Sequence, residues 1–298
     1  MKRFMIGQYG GFDETKYRRD FRDDFYGIEA CLFGTQEDVR RLIQESQRNG
    51  FRIGIHFPLQ ADGTLVRDAL FLARDEAVRN RAFEWMEREL EASIPVRPAY
   101  ILFHYPKPVI LDDRVDWSSW RFADPSEYVW ESQYSMQQLE ASTAMLFDWL
   151  TKKGEEYAFI PVLEFDGLNR YIYETDFLER MLHLYPRIRL CLDTGRLYLQ
   201  DRIDPYFDAR AVIRKFAKYA ETIHLKNMRI AGKIVENHYP ALPGLKPEDG
   251  WAPVEEYLVL IKKRNPHVKI VFEHRSELVS DEELNACYDW INRLLDTP

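Results

Sequence analysis

The sequence predicts an α/β fold in which eight parallel strands close into a single (β/α)8 barrel. Eight short apolar runs alternate with longer segments whose apolar residues recur at helical spacing. Strands that alternate with helices form a parallel sheet, and eight such units close a barrel. No shift in composition marks a linker, so we expect one domain over residues 1–298. An open doubly wound sheet is the alternative, but no Gly-x-Gly-x-x-Gly sequence follows the first run.

The predicted strands are short and apolar, which suits burial on both faces of a parallel sheet. The clearest is AFIPVLEFDG at Ala158–Gly167, where a largely apolar run ends at Glu164. A carboxylate at the end of a buried strand requires a partner, because an unpaired buried charge is strongly unfavourable. In chain order the eight runs are Arg3–Gln8, Tyr26–Leu32, Arg52–His56, Ala99–His104, Ala158–Gly167, Ile188–Asp193, Thr222–Lys226 and Val268–Glu273.

Helical spacing predicts the segments between these strands. In Thr35–Asn49, apolar residues recur among charges, with Thr35 as the N-cap and Gly50 as the C-cap. The other predicted helices are Thr64–Ala92, Glu131–Lys153, Thr175–His183, Asp208–Tyr219, Ala252–Arg264 and Asp281–Leu295.

One segment, Tyr105–Trp130, interrupts the alternation after the fourth strand. It is rich in proline and tryptophan and shows no sustained period. We interpret it as an aromatic-rich insertion or lid. Its Trp117 and Trp120 would either stack on a sugar or pack the insertion against the barrel.

Composition and charge exclude several classes of protein. The net charge of −8 and the pI of about 5.5 provide no overall field for nucleic acid. The N-terminus lacks the apolar core of a signal peptide, and no apolar run reaches the length of a transmembrane helix. Three cysteines, far apart and without Cys-x-x-Cys spacing, indicate reduced core thiols of a cytoplasmic protein. Association into a homo-oligomer stays open.

A polar residue ends each apolar run, and most of these residues can bind a metal. In a barrel these ends converge on one mouth, where active sites lie. Histidine, glutamate and aspartate together suit zinc, manganese, cobalt or iron, and carboxylates at a metal also serve as acids or bases. The eight residues are Gln8, Glu29, His56, His104, Glu164, Asp193, His224 and Glu273.

The stretches VLEFDG, CLDTGRLYL, TIHLKN, PALPGLKPEDGW and VFEHR, in this order on consecutive strands, resemble the xylose-isomerase-like TIM barrels. That superfamily includes sugar epimerases and isomerases, dehydratases and the endonuclease-four type of apurinic/apyrimidinic endonuclease. The resemblance implies that Glu164, Asp193, His224 and Glu273 hold one divalent metal, either Mn, Zn, Co, Mg or Fe. In the epimerase branch, Glu164 and Glu273 would also move protons on opposite faces of the substrate carbon.

The endonuclease branch implies more metals. Histidines matching His56 and His104 there ligate a second metal together with the equivalent of Glu164. A third metal takes a histidine three residues after the aspartate, where this chain has Arg196, and an Asp-x-His pair, where it has Glu236 and His238. Arginine is permanently charged and does not ligate metals, which argues against a trinuclear site.

Several further residues are candidates for substrate contact. With a single metal, His56, His104 and His238 would bind substrate. Arg196 would hold a carboxylate or phosphate, and Lys226 and Arg275 stand two residues after predicted ligands, on the same strand face.

The sequence therefore predicts a metal-dependent isomerase or epimerase that acts on a sugar, sugar acid or related polyol through an enediolate. A dehydratase or lyase would use the same chemistry and is not separated from it. The sequence is also compatible with an endonuclease-four-like phosphodiesterase and with a non-catalytic binding barrel. The acidic charge balance favours a small carbohydrate-like substrate over nucleic acid.

Overall fold

Eight parallel strands form a closed barrel, which confirms the predicted fold class. The structure, a computed structural model, describes residues 2–61 and 67–296. Around the barrel the strand order is β1-β12-β9-β8-β7-β4-β3-β2. The strands are β1 (Phe4–Tyr9), β2 (Gly27–Phe33), β3 (Arg52–Gln60), β4 (Tyr100–Tyr105), β5 (Val109–Leu111), β6 (Tyr128–Trp130), β7 (Ile160–Phe165), β8 (Arg189–Asp193), β9 (Ala220–Leu225), β10 (Asn227–Ala231), β11 (Lys233–Tyr239) and β12 (Lys269–Phe272).

The helices pack outside the barrel, and most begin at a capping side chain. Thr35 caps α2 and Gly50 ends it in the left-handed conformation, both as predicted. The helices are α1 (Glu14–Asp20), α2 (Gln36–Asn49), α3 (Glu76–Ser93), α4 (Met136–Glu156), α5 (Arg170–Tyr173), α6 (Phe177–Leu184), α7 (Thr194–Ile203), α8 (Ala209–Phe216), α9 (Val254–Arg264) and α10 (Asp281–Asp296).

An apolar layer inside the barrel forms the floor of the mouth. Because side chains alternate along a strand, four of the six floor residues stand two positions before a polar residue of the mouth. Leu102 precedes His104 in this way, and Val162 precedes Glu164. The buried floor residues are Met5, Tyr100, Leu102, Val162, Cys191 and Val271.

Tyr100 crosses this floor because the strand beside it carries a glycine. A Cβ atom at Gly54 would lie 2.3 Å from the Tyr100 ring, so no larger residue fits there without movement. The ring thereby reaches Glu29, and its hydroxyl donates a hydrogen bond of 2.6 Å to Oε2 of that residue.

The predicted helix Thr64–Ala92 is wrong in its first half. Residues 62–66 lie outside the described part of the chain, and α3 begins only at Glu76, after its cap Asp75. The apolar residues of Ala69–Ala73 are buried in irregular chain and not on a helix face. Their spacing reflects the packing of a loop, which periodicity alone does not distinguish from a helix.

The insertion after β4 contains a small sheet of its own, in which β5 pairs in parallel with β6. Other elements that were not predicted include a hairpin and a helix. The antiparallel hairpin β10–β11 follows β9, and α7 follows β8 directly.

Within the described residues, no helix combines the length and hydropathy required to cross a membrane. All three cysteines are buried and free, as expected of core thiols.

Candidate metal centre

Four side chains from consecutive barrel strands meet at the mouth. Nδ1 of His224 lies 3.2 Å from Oε1 of Glu164 and 3.8 Å from Oε2 of Glu273. The candidate ligand atoms of Asp193, His224 and Glu273 all lie within 4.8 Å of one another. The structure thus brings together the four residues that were expected to hold one metal.

The ammonium group of Lys226 lies between two of these carboxylates. Its Nζ atom is 2.6 Å from Oδ2 of Asp193 and 2.5 Å from Oε2 of Glu273. Burial alone would raise the pKa of Glu273, but Lys226 and His224 outweigh it and hold that pKa well below its ordinary value. These two carboxylates therefore already attract positive charge.

Glu29 of β2 holds His224 from the opposite side. Its Oε1 atom lies 2.9 Å from Nε2 of His224, which leaves Nδ1 facing Glu164 and Glu273. Burial would raise the pKa of Glu29, but His224 and His56 lower it to about 2.

The pKa of His224 moves in the opposite direction. Burial would lower this pKa, but nearby carboxylates, including Glu29 and Glu164, hold it well above its ordinary value. The surroundings of this imidazole therefore stabilise a positive charge in the barrel mouth.

Two histidines, His56 of β3 and His104 of β4, approach Glu164 from another direction. Their Nε2 atoms are 3.1 Å apart and lie 3.6 and 3.0 Å, respectively, from Oε2 of Glu164. This oxygen is buried and makes no well-directed hydrogen bond. The spacing resembles the edge of about 3.3 Å that a tetrahedral site with bonds of about 2.0 Å would have.

Two guanidinium groups, however, face the same imidazole nitrogens. Nη2 of Arg67 lies 3.0 Å from Nε2 of His56, and Nη2 of Arg196 lies 3.2 Å from Nε2 of His104. Each guanidinium points a donor at the lone pair that a metal would need, and its charge repels a cation. Lys226 faces the four-residue centre in the same way, but each carboxylate there keeps further lone pairs, whereas a neutral imidazole offers only one. The histidine pair is therefore less suited to a metal than the four-residue centre.

A buried charge network behind His104 was not predicted. Nζ of Lys107 lies 2.9 Å from Oδ2 of Asp68 and 2.7 Å from Oδ2 of Asp166. Asp68 places Oδ1 2.8 Å from Nδ1 of His104, and Asp166 places Oδ1 2.5 Å from Nη1 of Arg196. The two aspartates thereby orient the imidazole and the guanidinium.

His238 of β11 also reaches the site. Its Nδ1 atom lies 2.9 Å from the backbone oxygen of Glu273. Burial, with the charge of Lys226 nearby, lowers the pKa of His238. Its sequence partner Glu236 lies in β11 opposite Arg229 of β10.

Arg275 lies at the rim. Its side chain is largely exposed and donates from Nε to Oε1 of Glu277 at 2.8 Å. It lines a cavity at the barrel mouth, but its charge is already paired.

Trp117 and Trp120 of the insertion differ in position. Trp120 lines a cavity at the mouth, and its Nε1 donates to Oδ1 of Asp166 at 3.2 Å. Trp117 is buried against Trp120, with ring centroids 5.7 Å apart, and its Nε1 donates to the backbone oxygen of Asp112. Only Trp120 of this pair is placed to contact a substrate in the cavity.

Two cavities open at the mouth and share part of their walls. The larger, of about 510 Å³, is lined by His104, Arg196, Lys226 and Trp120, among others. The second, of about 460 Å³, is lined by Glu29, His56 and Glu273, among others. Either volume accommodates a small sugar.

The donor set fits a divalent ion. Three carboxylates and one imidazole converge, and Glu164 carries a buried oxygen without a well-directed hydrogen bond. Nitrogen and oxygen donors of this kind suit several divalent metals, so the donors do not select one.

Comparison with solved structures identifies the same barrel in sugar epimerases. D-psicose 3-epimerase from Clostridium cellulolyticum H10, determined with D-tagatose, matches 99% of this chain and 100% of its own, at 13% identity and a TM-score of 0.58. The 3-keto-D-glucoside 4-epimerase YcjR from E. coli matches 98% and 99%, respectively, at 13% identity and a TM-score of 0.58. The TTHB071 protein from Thermus thermophilus, soaked with zinc chloride, matches 98% and 97%, at 14% identity and a TM-score of 0.60.

These similarities confirm the resemblance to xylose-isomerase-like barrels at the level of the fold. No protein-family model matches the chain, and no curated protein sequence does.

Proposed function

We propose that this protein is a divalent-metal-dependent isomerase or epimerase that acts on a sugar, sugar acid or related polyol. One observation carries the proposal. Glu164 and Glu273, from different strands, both approach Nδ1 of His224, at 3.2 and 3.8 Å, within a set of metal-capable side chains. Two carboxylates beside a candidate metal centre are the groups that a two-base proton transfer requires.

The two carboxylates are approached from different cavities. Glu273 is partly exposed and lines the cavity of about 460 Å³. Glu164 is buried behind His104 and Arg196, which line the cavity of about 510 Å³. In the proposed reaction, one glutamate would remove the proton and the other would return it to the same substrate carbon.

The metal would be held by Glu164, Asp193, His224 and Glu273. A bound divalent ion would supply the positive charge that stabilises an enediolate. Burial would raise the pKa of Glu164, but His224, His104 and Arg196 outweigh it and hold that pKa well below its ordinary value. Glu164 is therefore a carboxylate at neutral pH, the state that both metal binding and proton removal require. The names of the fold neighbours, two of them sugar epimerases and one soaked with zinc, support this assignment.

A dehydratase or lyase would begin with the same proton removal. It differs in the loss of a leaving group, which product analysis detects.

An endonuclease-four-like phosphodiesterase is the second candidate. The cluster of His56, His104 and Glu164 favours it, because these donors have the spacing of a second metal site. Arg67 and Arg196, which face the two imidazole nitrogens, weigh against it.

Exchange of solvent deuterium into substrate carbons tests the proposal. We expect the metal-loaded protein to label at least one compound in a panel of ketoses and sugar acids. Glu164→Gln and Glu273→Gln should each slow labelling by about 100-fold or more, since each removes one proton-transfer group. Glu156→Gln, which changes an exposed glutamate at the C-terminal end of α4 that lines neither cavity, is the matched control and should label at the wild-type rate.

Two results would overturn the proposal. One is labelling by Glu273→Gln at the wild-type rate. The other is the absence of any labelling by wild type together with incision of abasic-site DNA, which would favour the phosphodiesterase.

A further inference from the structure

Arg67 stands apart from the other cations of the barrel mouth. It lines both cavities, so it lies on the wall that they share. Lys107, Arg196 and Lys226 each lie within hydrogen-bonding distance of at least one carboxylate. Within residues 2–61 and 67–296, by contrast, no carboxylate forms an ion pair with Arg67.

The contacts of Arg67 come from neutral groups. Its Nη2 atom lies 3.0 Å from Nε2 of His56 and 3.4 Å from Sγ of Cys31. Its Cζ atom lies 5.8 Å from the centre of the Tyr9 ring. A thiol and an imidazole supply lone pairs but no negative charge at neutral pH.

The guanidinium also has unused donor capacity. Its Nε atom is buried and has no hydrogen-bond partner in the described part of the chain. A guanidinium presents its donors as a planar fork that matches carboxylate and phosphate oxygens. A partly buried fork without an ion-pair partner among the described residues, aimed into a cavity, is therefore suited to an anionic ligand.

Arg67 lies close to the proposed proton-transfer groups. Only the imidazole of His56 separates it from Glu164, since Nε2 of His56 is 3.0 Å from Nη2 of Arg67 and 3.6 Å from Oε2 of Glu164. An anion bound by Arg67 thus lies within the length of a short sugar from Glu164.

A second unpaired arginine marks the entrance. Arg121 of the insertion is exposed, lines the cavity of about 510 Å³ and has no ion pair within the described chain. Tyr9 stands at the same mouth with 68% of its surface exposed. An anion that enters this cavity would meet Arg121 first and Arg67 farther in.

We propose that the substrate is an anionic sugar, a sugar acid or a sugar phosphate, and that Arg67 binds its charged group. This inference rests on the proposed function of the same site. Arg67 takes the anion-binding role that the sequence assigned to Arg196, because the Arg196 guanidinium already contacts Asp166 and His104.

Calorimetric binding of three matched six-carbon polyols tests the proposal. The probes are D-gluconate, D-glucitol 6-phosphate and neutral D-glucitol, none of which carries a ketone. We expect one of the two anions to bind wild type at least 10-fold more tightly than D-glucitol, and the tighter one identifies carboxylate or phosphate. Arg67→Gln should weaken the binding of that anion by about 10- to 100-fold and leave the binding of D-glucitol unchanged.

Two further variants test the role of the guanidinium fork and control for the loss of an arginine elsewhere. Arg67→Lys keeps the charge without the fork, so a partial loss supports recognition by the fork even if Arg67→Gln fails to fold. Arg40→Gln removes an exposed arginine of α2, paired with Glu37, and should bind every probe as wild type does.

Failure of this inference differs from failure of the proposed function. If D-glucitol binds as tightly as both anions, or Arg67→Gln and Arg67→Lys leave anion binding intact, Arg67 is not the anion site. Deuterium labelling of neutral ketoses would then still support the isomerase. If anions bind through Arg67 but no compound is labelled, the anion site stands and the isomerase fails.

Discussion

At the scale of one residue, Lys107 illustrates how the barrel mouth stabilises buried charge. Its ammonium is almost inaccessible to solvent and is shared between Asp68 and Asp166. Burial alone would raise the pKa of both aspartates, but the surrounding cations outweigh it and hold both values below the ordinary range. A buried lysine with two carboxylate partners is costly to remove, because its loss leaves uncompensated charge.

Lys107→Met should therefore destabilise the protein by about 3–5 kcal/mol at pH 7. In the variant, the pKa values of Asp68 and Asp166 rise, so these groups take up protons at a higher pH than in wild type. The stability deficit should then be largest at neutral pH and shrink as the pH falls below about 4, where the aspartates of the variant take up protons before those of wild type. Urea unfolding at several pH values measures this.

Lys152→Met is the control for the buried lysine. Its exposed pair with Asp148 should contribute little to stability, with little dependence on pH. A deficit in Lys107→Met that stayed constant between pH 7 and pH 3 would contradict the proposed coupling.

Strand alternation made some of these residues predictable. Asp166 directly follows β7 and stands two positions after Glu164, so the face of Glu164 indicates the face of Asp166. Asp68 and Lys107 lie on loops, and no periodicity gives the path of a loop. Arg67 was missed for the same reason.

At the scale of one element, α7 shares a residue with the proposed metal centre. Oδ1 of its N-cap, Asp193, accepts hydrogen bonds from the backbone N–H groups of Gly195 and Arg196, at 2.7 and 2.9 Å. Oδ2 faces Lys226. One carboxylate thus begins a helix and contributes to the site. A Cβ atom at Gly195 would lie 3.0 Å from Cε of Lys226, so the first turn packs closely on that lysine.

Substitution separates the two roles of Asp193. Asparagine is also a good N-cap, so Asp193→Asn should be more stable than Asp193→Ala by about 1 kcal/mol in the presence of a chelator. Both variants should lose bound metal, since both lack the charged carboxylate. Urea unfolding and elemental analysis measure these effects. Full metal retention by Asp193→Asn would remove Asp193 from the ligand set.

The elements themselves were predicted unevenly. The eight barrel strands were identified because buried parallel strands give short apolar runs. The hairpin β10–β11 was missed because its residues are only partly buried and show no clear alternation. The helix α7 was missed because apolar and polar residues are spread around it, without a dominant apolar face.

At the scale of the whole molecule, the proposed ligands tie distant parts of the chain together. They lie on β7, β8 and β9 and directly after β12, and β12 closes the barrel against β1. A ligand that binds only the folded barrel stabilises all of it by mass action. The net charge of −8, known from composition, sets the sign of the overall electrostatic field of the protein but not the position of the site.

A divalent ion at about 100 times its dissociation constant should raise the free energy of unfolding by about 2.7 kcal/mol. Thermal unfolding with a chelator, and then with added Mn²⁺, Zn²⁺ or Mg²⁺, measures the effect. His224→Asn should abolish the metal-dependent part. An unfolding temperature that is the same with chelator and with every metal would argue against a metal site.

The docking of Trp120 on Asp166 has a practical consequence. Its indole is one of seven in the chain, lines the larger cavity and shares Asp166 with Arg196. Indole emission responds to nearby charge and water, so filling this cavity should change the fluorescence of Trp120 without any added label. Occupancy of the barrel mouth then becomes an optical signal, by which ligands can be screened before any of them is known to react.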